Sequence, residues 1–282
     1  MDEQFIRIER QALRVLTNGR SNEHPWFVLW PGLGGAAEEF RRLVREGPEH
    51  GWNVAAIDPP GHGQSDPWDT WRDGDVAMVW DAVIQFLGSS AGVVVGGHSS
   101  GAYAAILWAN RRTICRGLIL LEGGYQDPFP DGTDIEAVFR QNASYLESRR
   151  YPSWAAFFAS ERESAMHWDE DVEAMLTAQM VEVRQEIRPR IDVRTANQVT
   201  ALLMSYRVQD LFPIGCPTLV GVASLPLDRA FARQKALTLF SERVPALEVI
   251  NVPKAGHDLL IDNPEAISTA VWAFLAPIHL RL

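Results

Sequence analysis

One stretch limits the folds open to this chain more than any other: Val93-Val94-Val95-Gly96-Gly97-His98-Ser99-Ser100-Gly101-Ala102-Tyr103-Ala104-Ala105. Its β-branched run reads as a buried strand, the small residues after it allow a sharp reversal, and the alanine-rich segment beyond favours a helix. Ser99 falls at the apex, in the spacing Gly97-x-Ser99-x-Gly101. A strand that turns at once into a helix tolerates little bulk around the apex, because the two backbones pass close together. The hydroxyl is then held clear of its own backbone, where the free N–H groups and dipole of the helix favour a developing oxyanion. The bare pattern also occurs as loop punctuation; the strand before it and the helix after it are what point to a nucleophile.

Strands and helices alternate on either side of this turn. Phe5–Ile8 and Leu13–Leu16 alternate in polarity, Thr17-Asn18-Gly19 is turn chemistry, and together they read as an antiparallel pair. Trp26–Trp30 is an apolar run too short for a helix and suited to an interior strand. It runs into Pro31-Gly32-Leu33-Gly34-Gly35 and a helical stretch, Ala36–Val44. Trp52–Asp58 is a strand leading into the turn-rich Pro59-Pro60-Gly61-His62-Gly63-Gln64-Ser65-Asp66. A helix over 75–87 precedes the central strand, the next helix reaches about Asn110, and Arg116–Glu122 is again a strand. From 125 to 211 the pattern predicts helices only: 134–149, 153–165, 169–187 and 195–210. Strands over 217–222 and 247–252 then flank a helix over 229–244, and Asn263-Pro264 opens a last helix as N-cap and first residue. The expected fold is α/β: a mostly parallel central sheet with helices on both faces, a core formed by 1–124 and 212–282, and an inserted all-helical cap over 125–211.

A formal net charge of −10 over 282 residues argues against nucleic acid or an anionic membrane surface as partner. Met1–Arg10 has no apolar leader pattern and no run approaches about 18 apolar residues, so a cytoplasmic location is expected. Cys115 and Cys216 lie far apart in apolar surroundings without metal-ligand spacing and read as buried thiols.

With the serine turn, the Pro31–Gly35 loop and a late Ala255-Gly256-His257-Asp258 in place, the chain resembles the α/β-hydrolase fold family along nearly its whole length. The Asp58–Asp66 loop is similar to one in the lipase, C–C hydrolase and dehalogenase branches. His257 follows the strand over 247–252 in a glycine-flanked loop, and a neutral imidazole suits removal of the serine proton and its return to a leaving group. The resemblance implies a backbone N–H from Leu33 and another from Ser100 as the oxyanion hole. For the acid it leaves two candidates. Family members usually carry an aspartate a few residues beyond the strand matching 217–222, where this chain has Ala223-Ser224-Leu225-Pro226-Leu227-Asp228, with Asp228 slightly late. Some branches instead take the acid from the end of the preceding strand, which is Glu122 here, and Glu122 is the preferred reading. His98 reads as packing beneath the turn and His62 as a loop hydrogen-bonder.

The expected activity is hydrolysis of a carboxylic ester or lactone through an acyl-enzyme on Ser99, with no metal or organic cofactor. The expected partner is a small-molecule ester or lactone, bulky and apolar or aromatic, selected by an apolar lid drawn from a few of Trp154, Phe157, Phe158, Trp168, Met175, Met180, Met204 and Tyr206, the others packing the cap helices together. A serine nucleophile disfavours the alkyl-enzyme chemistry of dehalogenases and epoxide hydrolases. A C–C bond hydrolase and a hydroxynitrile lyase share the resemblance, and a slow ligand receptor is a further alternative. A dinucleotide-binding protein is the rival from another fold: Gly32–Ala37 fits Gly-x-Gly-x-x-Ala after a strand, with Asp58 ending the next strand where a ribose-binding acid would stand.

Overall fold

The computed structural model describes residues 1–72, 74–89 and 92–279. Its elements in chain order are β1 (Asp2–Ile8), β2 (Gln11–Thr17), β3 (Trp26–Trp30), α1 (Arg41–Glu46), β4 (Asn53–Ile57), α2 (Asp75–Leu87), β5 (Val93–His98), α3 (Ser100–Ala109) and β6 (Cys115–Leu121). There follow α4 (Ile135–Ser148), α5 (Trp154–Ser164), α6 (Glu170–Gln179), β7 (Met180–Val183), β8 (Glu186–Pro189) and α7 (Val193–Met204). The chain returns to the sheet through β9 (Thr218–Ala223), α8 (Ala230–Ser241), β10 (Leu247–Val252), α9 (Leu259–Asp262) and α10 (Pro264–His279).

Eight strands form one sheet in the order β1-β2-β4-β3-β5-β6-β9-β10, antiparallel only where β2 meets β1 and β4. Every residue of β3, β4 and β5 is buried, so these strands have no polar face and read as unbroken apolar runs. One apolar cluster fills the face carrying α2, α3 and α8, and a second fills the face carrying α1 and α10. Helix α3 is buried almost all round, which accounts for its alanines and its lack of a polar stripe. In Asn263 the expected cap is present, its side-chain oxygen accepting from Ala266 N–H at 3.2 Å.

The segment between β6 and β9 departs from an all-helical cap at one place. A helix over 169–187 is expected, but α6 stops at Gln179 and a β7–β8 hairpin follows. Met180-Val181-Glu182-Val183 alternates with β-branched residues, and Arg184 and Gln185 take φ of 53° and 65°, the positive pair that a two-residue hairpin turn requires. Tyr151 bridges to Ile187 and extends the pairing. The four helices of this segment bury little, and α4 buries no residue fully. Each is instead capped by a side chain, Asp134, Ser153, Asp169 or Asp192, accepting from the first turn, at about 1 kcal/mol per cap.

Asp171 at the start of α6 pairs with Arg41 at 3.1 Å and Arg45 at 2.6 Å, tying the segment to α1. Tyr206, stacked edge-on against Tyr103, donates its hydroxyl to Gly124 O at 2.5 Å. Cys115 and Cys216, distant in sequence, are brought together at the start of β6 and before β9, with Sγ atoms 3.7 Å apart and both thiols free. Among the described residues, no helix is long and apolar enough to cross a membrane.

Candidate active site

Strand β5 ends at His98 and α3 begins at Ser100, so Ser99 alone makes the reversal. Its φ of 52° and ψ of −119° lie where a side chain costs about 1–3 kcal/mol. The Ser99 N–H, donated to Leu121 O at 2.9 Å, holds it there. A Cβ on Gly97 would overlap the Gly101 carbonyl, and one on Gly101 would overlap the Trp30 carbonyl, so neither position admits a side chain. The half-buried Ser99 presents Oγ 2.9 Å from His257 Nε2, joining residues 158 positions apart.

The His257 loop is stitched to the end of β9: Leu225 N–H donates to Ala255 O at 2.9 Å and Ala255 N–H to Ser224 Oγ at 3.4 Å. His257 keeps contact with solvent, but its ring is crowded against His98, centroids 5.1 Å apart. Loss of water around the ring and the His98 charge hold its pKa below the usual histidine value, while Asp258, Glu122 and Glu39 pull it upward. A depressed pKa keeps the imidazole neutral near pH 7 and able to accept the serine proton.

Glu122 ends β6 with φ of 44° and is buried. Its Oε2 accepts from Ala223 N–H at 2.7 Å, and its Oε1 takes Arg233 Nε and Nη2 at 3.2 and 3.1 Å. Among the described residues no hydrogen bond joins Glu122 to His257. Asp228 stands exposed on the turn Leu227–Arg229, with no contact to His257 among those residues.

The Leu33 N–H lies on the loop after β3 and the Ser100 N–H at the start of α3, and within the described residues no chain acceptor engages either of them. The Pro31–Gly35 loop is a tight turn closed by Gly35 N–H to Gly32 O at 2.9 Å, with Gly34 at φ of 80°. Above it lies a cavity of about 100 Å³. Leu33 and Gly34 form its floor, and Asn142, Tyr145, Arg149 and Met180 are among its walls. Of the aromatic residues expected to line a lid, Trp154, Phe157, Phe158 and Trp168 pack against one another and against Val172, Leu176 and Ile187 instead.

Asp58 is fully buried and accepts from Ala37 N–H at 2.6 Å, Gln64 N–H at 2.8 Å and Arg14 Nη1 at 3.0 Å. Both its oxygens brace loops, and full burial keeps the carboxylate out of reach of a dinucleotide's ribose. His62 is buried and places Nδ1 3.1 Å from Pro60 O, a loop-bracing contact.

Two residues at the site carry no sequence motif. Arg233 on α8 clamps Glu122, and Glu39 pairs with His98 at 2.6 Å while accepting from Gly32 N–H at 3.1 Å. A buried histidine next to the serine was visible in the sequence; that it needs an acid partner when charged is the one signal that pointed toward a residue such as Glu39.

A strained serine turn, an imidazole on a late loop and a parallel sheet with this strand order define an α/β hydrolase. Residues 27–270 match the model of the alpha/beta hydrolase family, and the chain belongs to that family. It is 27% identical to a 2-succinyl-6-hydroxy-2,4-cyclohexadiene-1-carboxylate synthase of Serratia proteamaculans over 268 residues, 94% of this chain and 98% of the relative. Among solved structures it shares its fold with a thioesterase domain from the curacin biosynthetic pathway (TM-score 0.75, 20% identity, 96% of this chain and 99% of that one). It also shares it with E-2-(acetamidomethylene)succinate hydrolase (TM-score 0.74, 21% identity, 97% and 98%).

Proposed function

We propose that the protein is a serine hydrolase of a carboxylic ester or lactone, working through an acyl-enzyme. The observation that carries this is the 2.9 Å contact between Oγ of a serine at positive φ and Nε2 of an imidazole kept below its ordinary pKa. Ser99 attacks the carbonyl carbon as His257 takes its proton, and the carbonyl oxygen becomes an oxyanion facing the Leu33 and Ser100 N–H groups. One such donor is worth about 3 kcal/mol in the transition state. His257 then protonates the leaving oxygen, and water releases the acyl group by the reverse of the same steps. Glu122, buried and negative, stabilises the imidazolium formed in between. The cavity over Leu33 is lined by that residue and Gly34 and by α4 and the β7–β8 hairpin, while Ser99 and His257 are not among its lining residues.

A second reading rests on the Serratia relative, whose name is that of a synthase. On that reading Ser99 need not carry an acyl group. Intact-mass spectrometry with p-nitrophenyl acetate, together with fluorophosphonate labelling, separates the two. Acylation of Ser99 with turnover is expected, lost in Ser99→Ala by about 10³-fold or more. Glu122→Gln is expected to slow labelling by about 10²-fold, with Asp228→Asn near wild type. No label on Ser99 would refute the hydrolase proposal, and slow labelling of Asp228→Asn alone would move the acid role to Asp228.

A further inference from the structure

Beneath the serine turn lies a pair of buried side chains that the reaction above does not use. His98 is 5% exposed, and each of its ring nitrogens faces an acceptor. Nε2 lies 2.8 Å from the backbone carbonyl of His257, and Nδ1 lies 2.6 Å from Glu39 Oε1. The carbonyl only accepts, so Nε2 carries a proton; Nδ1 stands at ion-pair distance from Glu39 without hydrogen-bond alignment, and the nearby carboxylate favours the charged form of His98. Glu39, 6% exposed, uses its other oxygen to accept from Gly32 N–H at 3.1 Å. Gly32 immediately precedes Leu33, whose N–H is the oxyanion donor proposed above.

We infer that His98 and Glu39 form a buried positioning pair that fixes the base and the oxyanion loop relative to Ser99 and sets the His98 ring against that of His257. This rests on the reading of Ser99 and His257 given above. Three chain segments that meet only at the site are joined through two side chains: the His257 loop by its carbonyl, the oxyanion loop by the Gly32 N–H, and the serine turn because His98 is its neighbour in the chain. The charges on every side agree with this reading. Around His98 stand Glu39 from the turn Ala37–Phe40, and His257 and Asp258 from the late loop. Burial alone would lower the His98 pKa, but Glu39, Asp258 and the His257 carbonyl outweigh it and raise it to about 9. Around His257 stand His98, Asp258, Glu122 and Glu39, and of these only His98 is a cation. Removing that cation therefore makes His257 easier to protonate.

The test compares wild type with Glu39→Gln and the doubly neutral Glu39→Gln/His98→Asn, which retains amide donors and acceptors at both places. With p-nitrophenyl acetate, kcat is expected to fall about tenfold or more with KM little changed. The acid limb of kcat/KM should move to higher pH in the double variant. A purely structural pair would leave that limb where it is. Independently of activity, the imidazole ¹⁵N shifts of His98 in Ser99→Ala protein should be those of an imidazolium at pH 7.5 and become neutral in Ser99→Ala/Glu39→Gln. A neutral His98 in the Glu39-containing protein, or an unmoved acid limb in an active double variant, would overturn the pairing role. An inactive, unlabelled wild type would instead overturn the hydrolase reading and leave the NMR result to decide this one.

Discussion

Replacing Arg233 with methionine tests how the carboxylate at the end of β6 is held. Arg233 makes two contacts to Glu122 Oε1, at 3.2 and 3.1 Å, and donates to the Leu225 and Pro226 carbonyls at 2.7 and 3.2 Å. Their side chains are 9% and 6% exposed, so little water can replace the lost partner. Methionine fills much of the same volume but leaves Glu122 with Ala223 N–H as its remaining hydrogen bond. Breaking a buried ion pair from one side costs about 3–5 kcal/mol, because the surviving charge is left uncompensated. At about 2–4 °C per kcal/mol for a chain of this size, Tm should fall by about 6–20 °C. Urea unfolding followed by tryptophan fluorescence at pH 7.5 measures the change directly. Glu122→Gln/Arg233→Met removes both charges and should lose less than the sum of the single variants, with a coupling of about 1–3 kcal/mol. An Arg233→Met protein within about 1 kcal/mol of wild type, or strict additivity, would show that the pair carries no such burden.

Further outcomes concern the frame around the site and its buried histidines. Gly101→Ala drives a Cβ into the Trp30 carbonyl and should cost about 4 kcal/mol or more or prevent folding. Gly215→Ala, with open space at its Cβ, should stay within about 0.5 kcal/mol when both are unfolded in urea side by side. His62, buried and lowered to about 4 by desolvation, is neutral in the fold. The unfolded chain binds the extra proton between about 6.5 and 4, so the stability His62 contributes is complete above 6.5 and lost as pH falls toward 4. The loss reaches about 3 kcal/mol at most, and His62→Asn should flatten ΔG of unfolding over that window. His98, raised to about 9, has the opposite sign: its contribution is full below 6.5 and is lost as pH climbs through 9.

Most of the sheet was legible because strands buried on both faces must be apolar throughout, as β3 and β5 are, and because each is followed by turn residues and a helical pattern. The β7–β8 hairpin was not. Its turn is Arg184-Gln185, without the glycine or asparagine that usually marks such a reversal, and Glu170–Gln179 runs into it without a stop signal. Of the residues expected in the lid, Met180 lines the cavity over Leu33 while Trp154, Phe157 and Phe158 pack among themselves, since periodicity identifies a buried face but not what it packs against.

The sequence by itself determined the turn at Ser99, since glycine spacing and strand-to-helix polarity are local properties, and it placed His257 in a loop that returns to the sheet edge. Tertiary structure alone decided how the buried charges are matched. Glu122 was expected beside His257, but its oxygens go to Arg233, 111 positions away, and to Ala223 N–H. Glu39, inside an unremarkable helical stretch, proves to be the partner of His98. A buried charge must find an opposite charge or a hydrogen-bond partner wherever the chain brings one near, and that neighbour is set by how distant elements pack, not by spacing along the chain.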